Sequence, residues 1–275
     1  MKQVNLLPNI VTAFGLACGL YVIFKINLTA PGFGTFDVLF GSALLMLVAA
    51  LADVLDGAIA RAIRAESEFG FMFDSLADAI TFGVAPSVLM LKSLSLEQGS
   101  LLSFFAVIGA MLYSICGVLR LVRFNVKGHE VQGNSRARLL YKKTFTGLPI
   151  PAGALAAVSI NLFLTSAYAK EWFDLSQAYR ASILTAVMIL LGYLMVCRLK
   201  FPSLKTLHMR VASFHIIFVT VIAAIFLLYG ILHHFPLVFA LISWGYIAFS
   251  LILSLIQILR GNKKDAIQSE DDTIL

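Results

Sequence analysis

The sequence predicts an all-α, polytopic membrane protein of about eight transmembrane helices. Three observations lead there. Of 275 residues, 60% are hydrophobic and only 13% are charged, where a soluble domain carries about 25% charged residues. The mean hydropathy is +0.90. Apolar runs long enough to cross a bilayer, about 20 residues each, recur along almost the whole chain.

The expected spans are residues 8–28, 36–64, 67–93, 98–126, 148–168, 178–199, 209–232 and 235–260. Each break has a chemical reason. Pro31-Gly32-Phe33-Gly34 stops the first span, and the charged run ARAIRAESE forms a hairpin between the second and third. The polar stretch from Lys127 to Lys143 is the longest internal loop. Phe201-Pro202-Ser203 and His234-Phe235-Pro236 punctuate the end. The final NKKDAIQSEDDTIL is polar and is expected to be disordered. The first apolar run, from about Pro8, is too long for the h-region of a signal peptide and lacks a small-residue cleavage site.

Charge placement gives the orientation. With eight spans, 17 of the 21 lysines and arginines fall on the side shared by the N-terminus, the 61–67 hairpin, the 127–147 and 198–210 loops and the tail. Lys25, Lys92, Lys170 and Arg180 fall on the other. The basic side is expected to be cytoplasmic, with both termini there, in an inner (cell) membrane. The net charge of +6 then reflects topology and anionic headgroups, and no nucleic-acid partner is needed. Cys18, Cys116 and Cys197 are far apart in apolar sequence and read as buried thiols. The five histidines form no metal-ligand pattern, and His233–His234 reads as an interfacial pair at a helix end.

One stretch departs from this economy. Leu51 to Pro86 keeps four carboxylates, Asp53, Asp56, Asp74 and Asp78, inside otherwise apolar sequence. Charge at membrane depth costs several kcal/mol per isolated group on most scales, so four of one sign together point to bound cations. Asp53 and Asp56 are spaced i, i+3, and Asp74 and Asp78 i, i+4. Either spacing puts both side chains on one helix face. Across a tight hairpin, Asp56 and Asp74 lie at one depth and Asp53 and Asp78 one turn deeper. At about 1.5 Å rise per residue the group sits on the order of 13–19 Å from the turn. Hard divalent cations with oxygen ligands, Mg²⁺, Mn²⁺ or Ca²⁺, compensate such a cluster. A pair of them about 3.5–4 Å apart is a common device for displacement at phosphorus. For the small residues Gly57, Ala60 and Gly70 two readings stand: close helix packing, or backbone room for a ligand beside the metals. Arg61 is placed to meet a phosphate or to pair with a nearby acid.

The pattern Asp53-x-x-Asp56-Gly57-x-x-Ala60-Arg61, then eight residues, then Gly70-x-x-x-Asp74-x-x-x-Asp78 resembles the signature of the CDP-alcohol phosphotransferases. Leu7-Pro8-Asn9 with Thr12, Ala79 to Pro86, Arg120 to Asn125, and Phe145 to Pro151 resemble the phosphatidylserine synthase branch of that family. Phe14 departs from the pattern, standing where some relatives have a polar residue. The resemblance covers residues 1–200 well and the last two helices loosely. It implies a six-helix catalytic core over residues 1–200, two additional spans over 201–260 and a cytoplasmic tail over 261–275.

The resemblance further implies phosphatidyl transfer from CDP-diacylglycerol to L-serine, giving phosphatidylserine and CMP, with two divalent cations, Mg²⁺ or Mn²⁺. Other acceptors of the same chemistry are glycerol 3-phosphate, inositol phosphate and choline. Asp53, Asp56, Asp74 and Asp78 become metal ligands, and Asp78 is a general base or a plain ligand. Gly57, Ala60, Arg61 and Gly70 join Asp53, Asp56 and Asp74 in shaping the CDP pocket. Arg120, Arg123 and Asn125 become acceptor-binding residues, against the reading that the basic residues of this region only set topology. The partners implied are CDP-diacylglycerol, L-serine, membrane lipids and a second copy in a homodimer. A cation transporter is the alternative of a different class. It would be expected to carry acids in both halves, whereas all four lie in one hairpin.

Overall fold

A computed structural model describes residues 6–29, 36–63, 67–97, 99–130, 144–173, 175–197, 200–202 and 229–271. The chain forms two compact units, Met1–Lys127 with Pro149–Val196, and Gly128–Leu148 with Cys197–Leu275. The helices are α1 (Leu6–Asn27), α2 (Phe36–Ala62), α3 (Glu68–Asp78), a π-helical segment (Ala79–Val84), α4 (Ala85–Ser93), α5 (Leu101–Glu130), α6 (Ile150–Thr165), α7 (Ala167–Phe173), α8 (Gln177–Val196) and α9 (Phe235–Asp271). The fold is that of an all-α polytopic membrane protein.

Among the described residues six helices are long and apolar enough to cross a membrane: Pro8–Asn27, Phe36–Ala62, Glu68–Ser93, Leu101–Val126, Gln177–Val196 and Phe235–Ile256. The span expected at 148–168 is shorter and broken. Helix α6 ends at Thr165, and α7 leaves it at an angle of 65°. Local hydrogen bonding explains the break. Ser166 takes an extended conformation, its Oγ donates to Phe163 O at 2.6 Å, and Thr165 Oγ1 donates to Asn161 O at 2.7 Å. Such side-chain bonds compete with continuation of the helix. The span expected at 209–232 lies outside the described residues except for its end. Helix α9 runs to Asp271, well into the polar stretch expected to be disordered.

In the first unit α1 lies along α2 and also touches α3, the π-helical segment and α4. Helix α6 packs on α2, α4 and α8. Glycines set the close approaches. A Cβ on Gly19 would lie 2.5 Å from Thr81 Oγ1 and 2.9 Å from Thr81 Cα, so α1 and the π-helical segment meet almost backbone to backbone. The large side chains turned outward are apolar, such as Ile10, Phe14 and Phe24 on α1 and Phe104, Met111 and Ile115 on α5. That is the surface a bilayer solvates. At the bundle end away from the carboxylates, Arg180 Nη2 of α8 donates to Asn161 Oδ1 (3.2 Å) and Thr165 Oγ1 (2.7 Å) on α6. Ser93 of α4 donates to the same Asn161 oxygen at 3.0 Å. This polar clasp ties three helices.

In the second unit a short ribbon pairs β1 (Thr144–Thr146) antiparallel with β2 (Lys200–Pro202), with Phe145 opposite Phe201. Gly147 follows β1 with φ of +86°, a backbone conformation other residues rarely adopt. The pairing joins residues 144–146 to residues 200–202, which lie more than 50 positions apart in the chain.

The π-helical segment has a chemical cause in Pro86. A proline lacks the N–H that would bond the carbonyl four residues back, and its ring crowds that carbonyl. The carbonyl concerned is that of Phe82. The helix widens there, with Ala85 N–H bonding Ile80 O. Two side chains of α5 compensate. Tyr113, fully buried, donates its hydroxyl to Phe82 O at 3.0 Å, and Ser114 Oγ donates to Gly83 O at 2.9 Å. Tyr113→Phe leaves the Phe82 carbonyl unsatisfied and should cost about 1–2 kcal/mol. A lowered midpoint of thermal unfolding in detergent is the expected reading; an unchanged midpoint would mean that Tyr113 does not support the segment.

Candidate active site

Helix α2 presents Asp53 and Asp56, and α3 presents Asp74 and Asp78 as its last residue. Ser67 starts α3 as its N-cap, accepting from Gly70 N–H at 3.0 Å. The carboxylates meet as their spacing requires. One oxygen each of Asp53, Asp56 and Asp74 lies within 4.8 Å of the others. All four aspartates line one cavity, with Thr12, Gly15 and Leu16 of α1, Ala49 and Ala77, and Thr81 and Phe82 of the π-helical segment. Asp78 stands outside the group of three but feels the charges of Asp53, Asp56 and Asp74. Asp56 is only 5% exposed.

The cluster has the makings of a cation site. Asp74 Oδ1 is buried and has no hydrogen-bond partner. A buried acceptor without a donor is costly. Three converging carboxylate oxygens, with an unpartnered oxygen on one of the three residues, fit a hard divalent cation. The protein supplies partial compensation of its own. The Arg120 charge reaches Asp53 and Asp78, and the Arg61 charge reaches Asp56. Thr12 Oγ1 lies 2.6 Å from Asp56 Oδ2.

The surroundings of the two glycines differ. A Cβ at Gly57 would meet only the end of the Arg61 side chain, 3.3 Å from Nη1, and no neighbouring helix. A side chain at Gly57 would therefore displace only the flexible end of Arg61. Gly70 is different: a Cβ there would lie 3.0 Å from Asn9 Oδ1 and 3.1 Å from Ser67 Oγ. Its smallness serves the contact of α1 with α3. Ala60 is half-buried on α2 with Arg61 exposed beside it.

The three residues expected to bind the acceptor go different ways. Arg120 is the one whose charge reaches the carboxylates. Arg123 Nη1 donates to Val196 O of α8 at 3.0 Å. Asn125 and Ser75 bond reciprocally, Nδ2 to Oγ at 3.0 Å and Oγ to Oδ1 at 3.3 Å, which fixes α5 against α3 next to Asp74. Sequence reasoning did not foresee that pairing, because nothing in either helix alone announces a partner 50 residues away. It also did not foresee the Thr12 contact to Asp56. Phe14 points outward, 54% exposed, away from the cavity wall that Thr12 and Gly15 form.

Comparison with known proteins adds a consistent result. The sequence model described as CDP-alcohol phosphatidyltransferase matches residues 5–256. A Bacillus subtilis (strain 168) protein named CDP-diacylglycerol--serine O-phosphatidyltransferase is 31% identical over 201 residues, 73% of this chain and 92% of that protein. A Helicobacter pylori (strain 26695) protein of the same name is 28% identical over 246 residues, 84% and 92% of the two chains. One from Methanocaldococcus jannaschii is 32% identical over 170 residues, 62% and 68%.

The contrast between glycines can be measured. Gly57→Ala should leave the unfolding midpoint in metal-free detergent unchanged or raise stability by up to about 1 kcal/mol, as a glycine in a helix interior does when replaced. Gly19→Ala should cost about 1–3 kcal/mol, because it forces α1 off the Thr81 backbone. A Gly57→Ala loss as large as that of Gly19→Ala would return Gly57 to a packing role.

Proposed function

Because this chain belongs to the CDP-alcohol phosphatidyltransferase family, we propose that it transfers the phosphatidyl group of CDP-diacylglycerol to the hydroxyl of L-serine, giving phosphatidylserine and CMP. One observation carries the reading: three carboxylates converge in a cavity that a fourth also lines, inside helices that are otherwise apolar. The names of the relatives support serine as the acceptor.

Asp53, Asp56, Asp74 and Asp78 would hold two divalent cations, Mg²⁺ or Mn²⁺. Bound there, the cations supply Lewis-acid polarisation of the diphosphate and offset the charge that develops on the leaving group. The chain's own residues do the rest. The open face at Gly57, with Ala60 and Arg61, receives the CDP moiety, and Arg61 supplies positive charge to its phosphates. Gly70 keeps α3 close to α1 at the rim of that site. Asp78 accepts the proton of the serine hydroxyl as its oxygen bonds to the lipid-bearing phosphorus, and the bond from that phosphorus to the CMP oxygen breaks, its electron pair leaving with CMP. Arg120, next to Asp53 and Asp78, holds the serine carboxylate. Arg123 and Asn125 support Arg120 from the same helix through their contacts to Val196 and Ser75. All of these residues lie within 1–200, the proposed catalytic core. The excess of basic residues on the loop side supports a site toward the cytoplasmic leaflet of the inner membrane. A homodimer is compatible with this scheme, which draws every group from one chain.

The test is CMP release by the purified full chain from CDP-diacylglycerol micelles in Mn²⁺, with serine, glycerol 3-phosphate, inositol phosphate and choline compared. Serine should give the highest rate, and chelation with EDTA should abolish it. Serine releasing no more CMP than glycerol 3-phosphate would overturn the acceptor assignment. Asp78→Asn should lower the rate about 10²–10⁴-fold with a smaller loss of Mn²⁺ binding than Asp74→Asn gives; a loss of Mn²⁺ binding equal to that of Asp74→Asn would make Asp78 a ligand without a proton role.

A further inference from the structure

We propose that Thr12 of α1 is a positioning residue of the carboxylate centre, holding Asp56 in the orientation that presents it to a divalent cation. The inference rests on the reading of the cluster as a cation site and adds a third helix to it. Thr12 and Asp56 are each 5% exposed, and both line the cavity. Thr12 Oγ1 lies 2.6 Å from Asp56 Oδ2 and 3.1 Å from Pro8 O. A hydroxyl carries one hydrogen, and neither a carbonyl nor an ionised carboxylate can donate. The proton therefore goes to one of them, and the carboxylate, charged and nearer, is the stronger acceptor. Pro8 O serves as the spare partner of the helix-internal kind.

With one lone pair of Oδ2 committed to Thr12, the Asp56 carboxylate cannot rotate freely. Its other lone pairs are left for the cluster. The contact reaches across 44 residues of chain, so it records the docking of α1 and not the local geometry of α2. A second contact has the same sense. Asn9, one turn before Thr12, places Oδ1 against Gly70 on α3. Helix α1 thus touches both carboxylate-bearing helices with polar groups, while its next charged residue is Lys25 at the far end. Metal ligands are commonly oriented in this way by a hydrogen-bonded neighbour, and loss of such a neighbour typically weakens metal affinity 10–100-fold.

The experiment reads Mn²⁺ binding directly, by the loss of the free-ion EPR signal on titration into the detergent-solubilised full chain, and needs no turnover. Thr12→Val keeps the shape and removes the donor; it should raise the half-saturating Mn²⁺ concentration at least about tenfold. Thr12→Ser restores the hydroxyl and should restore wild-type binding. In an Asp56→Asn background Thr12→Val should have no further effect, because the two act through one contact. Equal Mn²⁺ binding by wild type and Thr12→Val overturns the proposal, and so does a Thr12→Ser chain as weak as Thr12→Val. Should Thr12→Val not fold, Thr12→Ala against Thr12→Ser makes the same comparison. A wild-type chain that binds no Mn²⁺ would instead overturn the reading of the cluster itself.

Discussion

Like charges gathered below a membrane surface repel one another and lose their water, and the first unit of this protein is built around relieving that. The relief comes from several directions. Arg61 and Arg120 bring positive charge from α2 and α5. Thr12 brings a hydrogen-bond donor from α1. Asp74 Oδ1 is left without a donor, and that deficit is what a cation would meet. No single helix could supply this set. The three carboxylate oxygens within 4.8 Å of one another come from two helices, their hydroxyl support from a third and their basic neighbour from a fourth. The site and the tertiary fold are therefore one object: packing of α1, α2, α3 and α5 creates the chemistry.

The widened turn after Asp78 belongs to the same logic. Such insertions in helices are often found at functional sites. Here Pro86 removes one backbone bond, and the helix rearranges upstream of it, so Thr81 and Phe82 end up on the cavity wall directly below Asp78. The burden falls on α5, whose Tyr113 and Ser114 satisfy the displaced carbonyls. In a bilayer no water is at hand to do this. A proline in one span thus fixes which polar residues a neighbouring span must carry.

The sequence revealed those features that depend on composition and short-range spacing. Six of the expected span positions follow from apolar length, and the meeting of Asp53 and Asp56 with Asp74 follows from two helical periods joined by a hairpin. What stayed hidden depends on partners distant along the chain. The bend after Thr165 arises from short polar side chains whose preference for local bonds is weak until Arg180 engages them. The resemblance offers Asn125 as an acceptor-binding residue, and nothing in α5 alone announces the bond of its amide to Ser75. Thr12 was visible as part of a motif with Pro8 and Asn9, but its task becomes apparent only once α1 is laid beside α2. The helical widening could have been anticipated from Pro86 alone, since the position of the crippled carbonyl is fixed by counting back four residues.

The small ribbon between β1 and β2 has a consequence for how the molecule is made. Its strands are separated in the chain by α6, α7 and α8, so Phe145 must wait for Phe201 to be synthesised before the two can pair. By then every helix that carries a cavity residue has already left the ribosome. Closure of the ribbon is therefore a late event in the synthesis of the chain, set by the order of its elements.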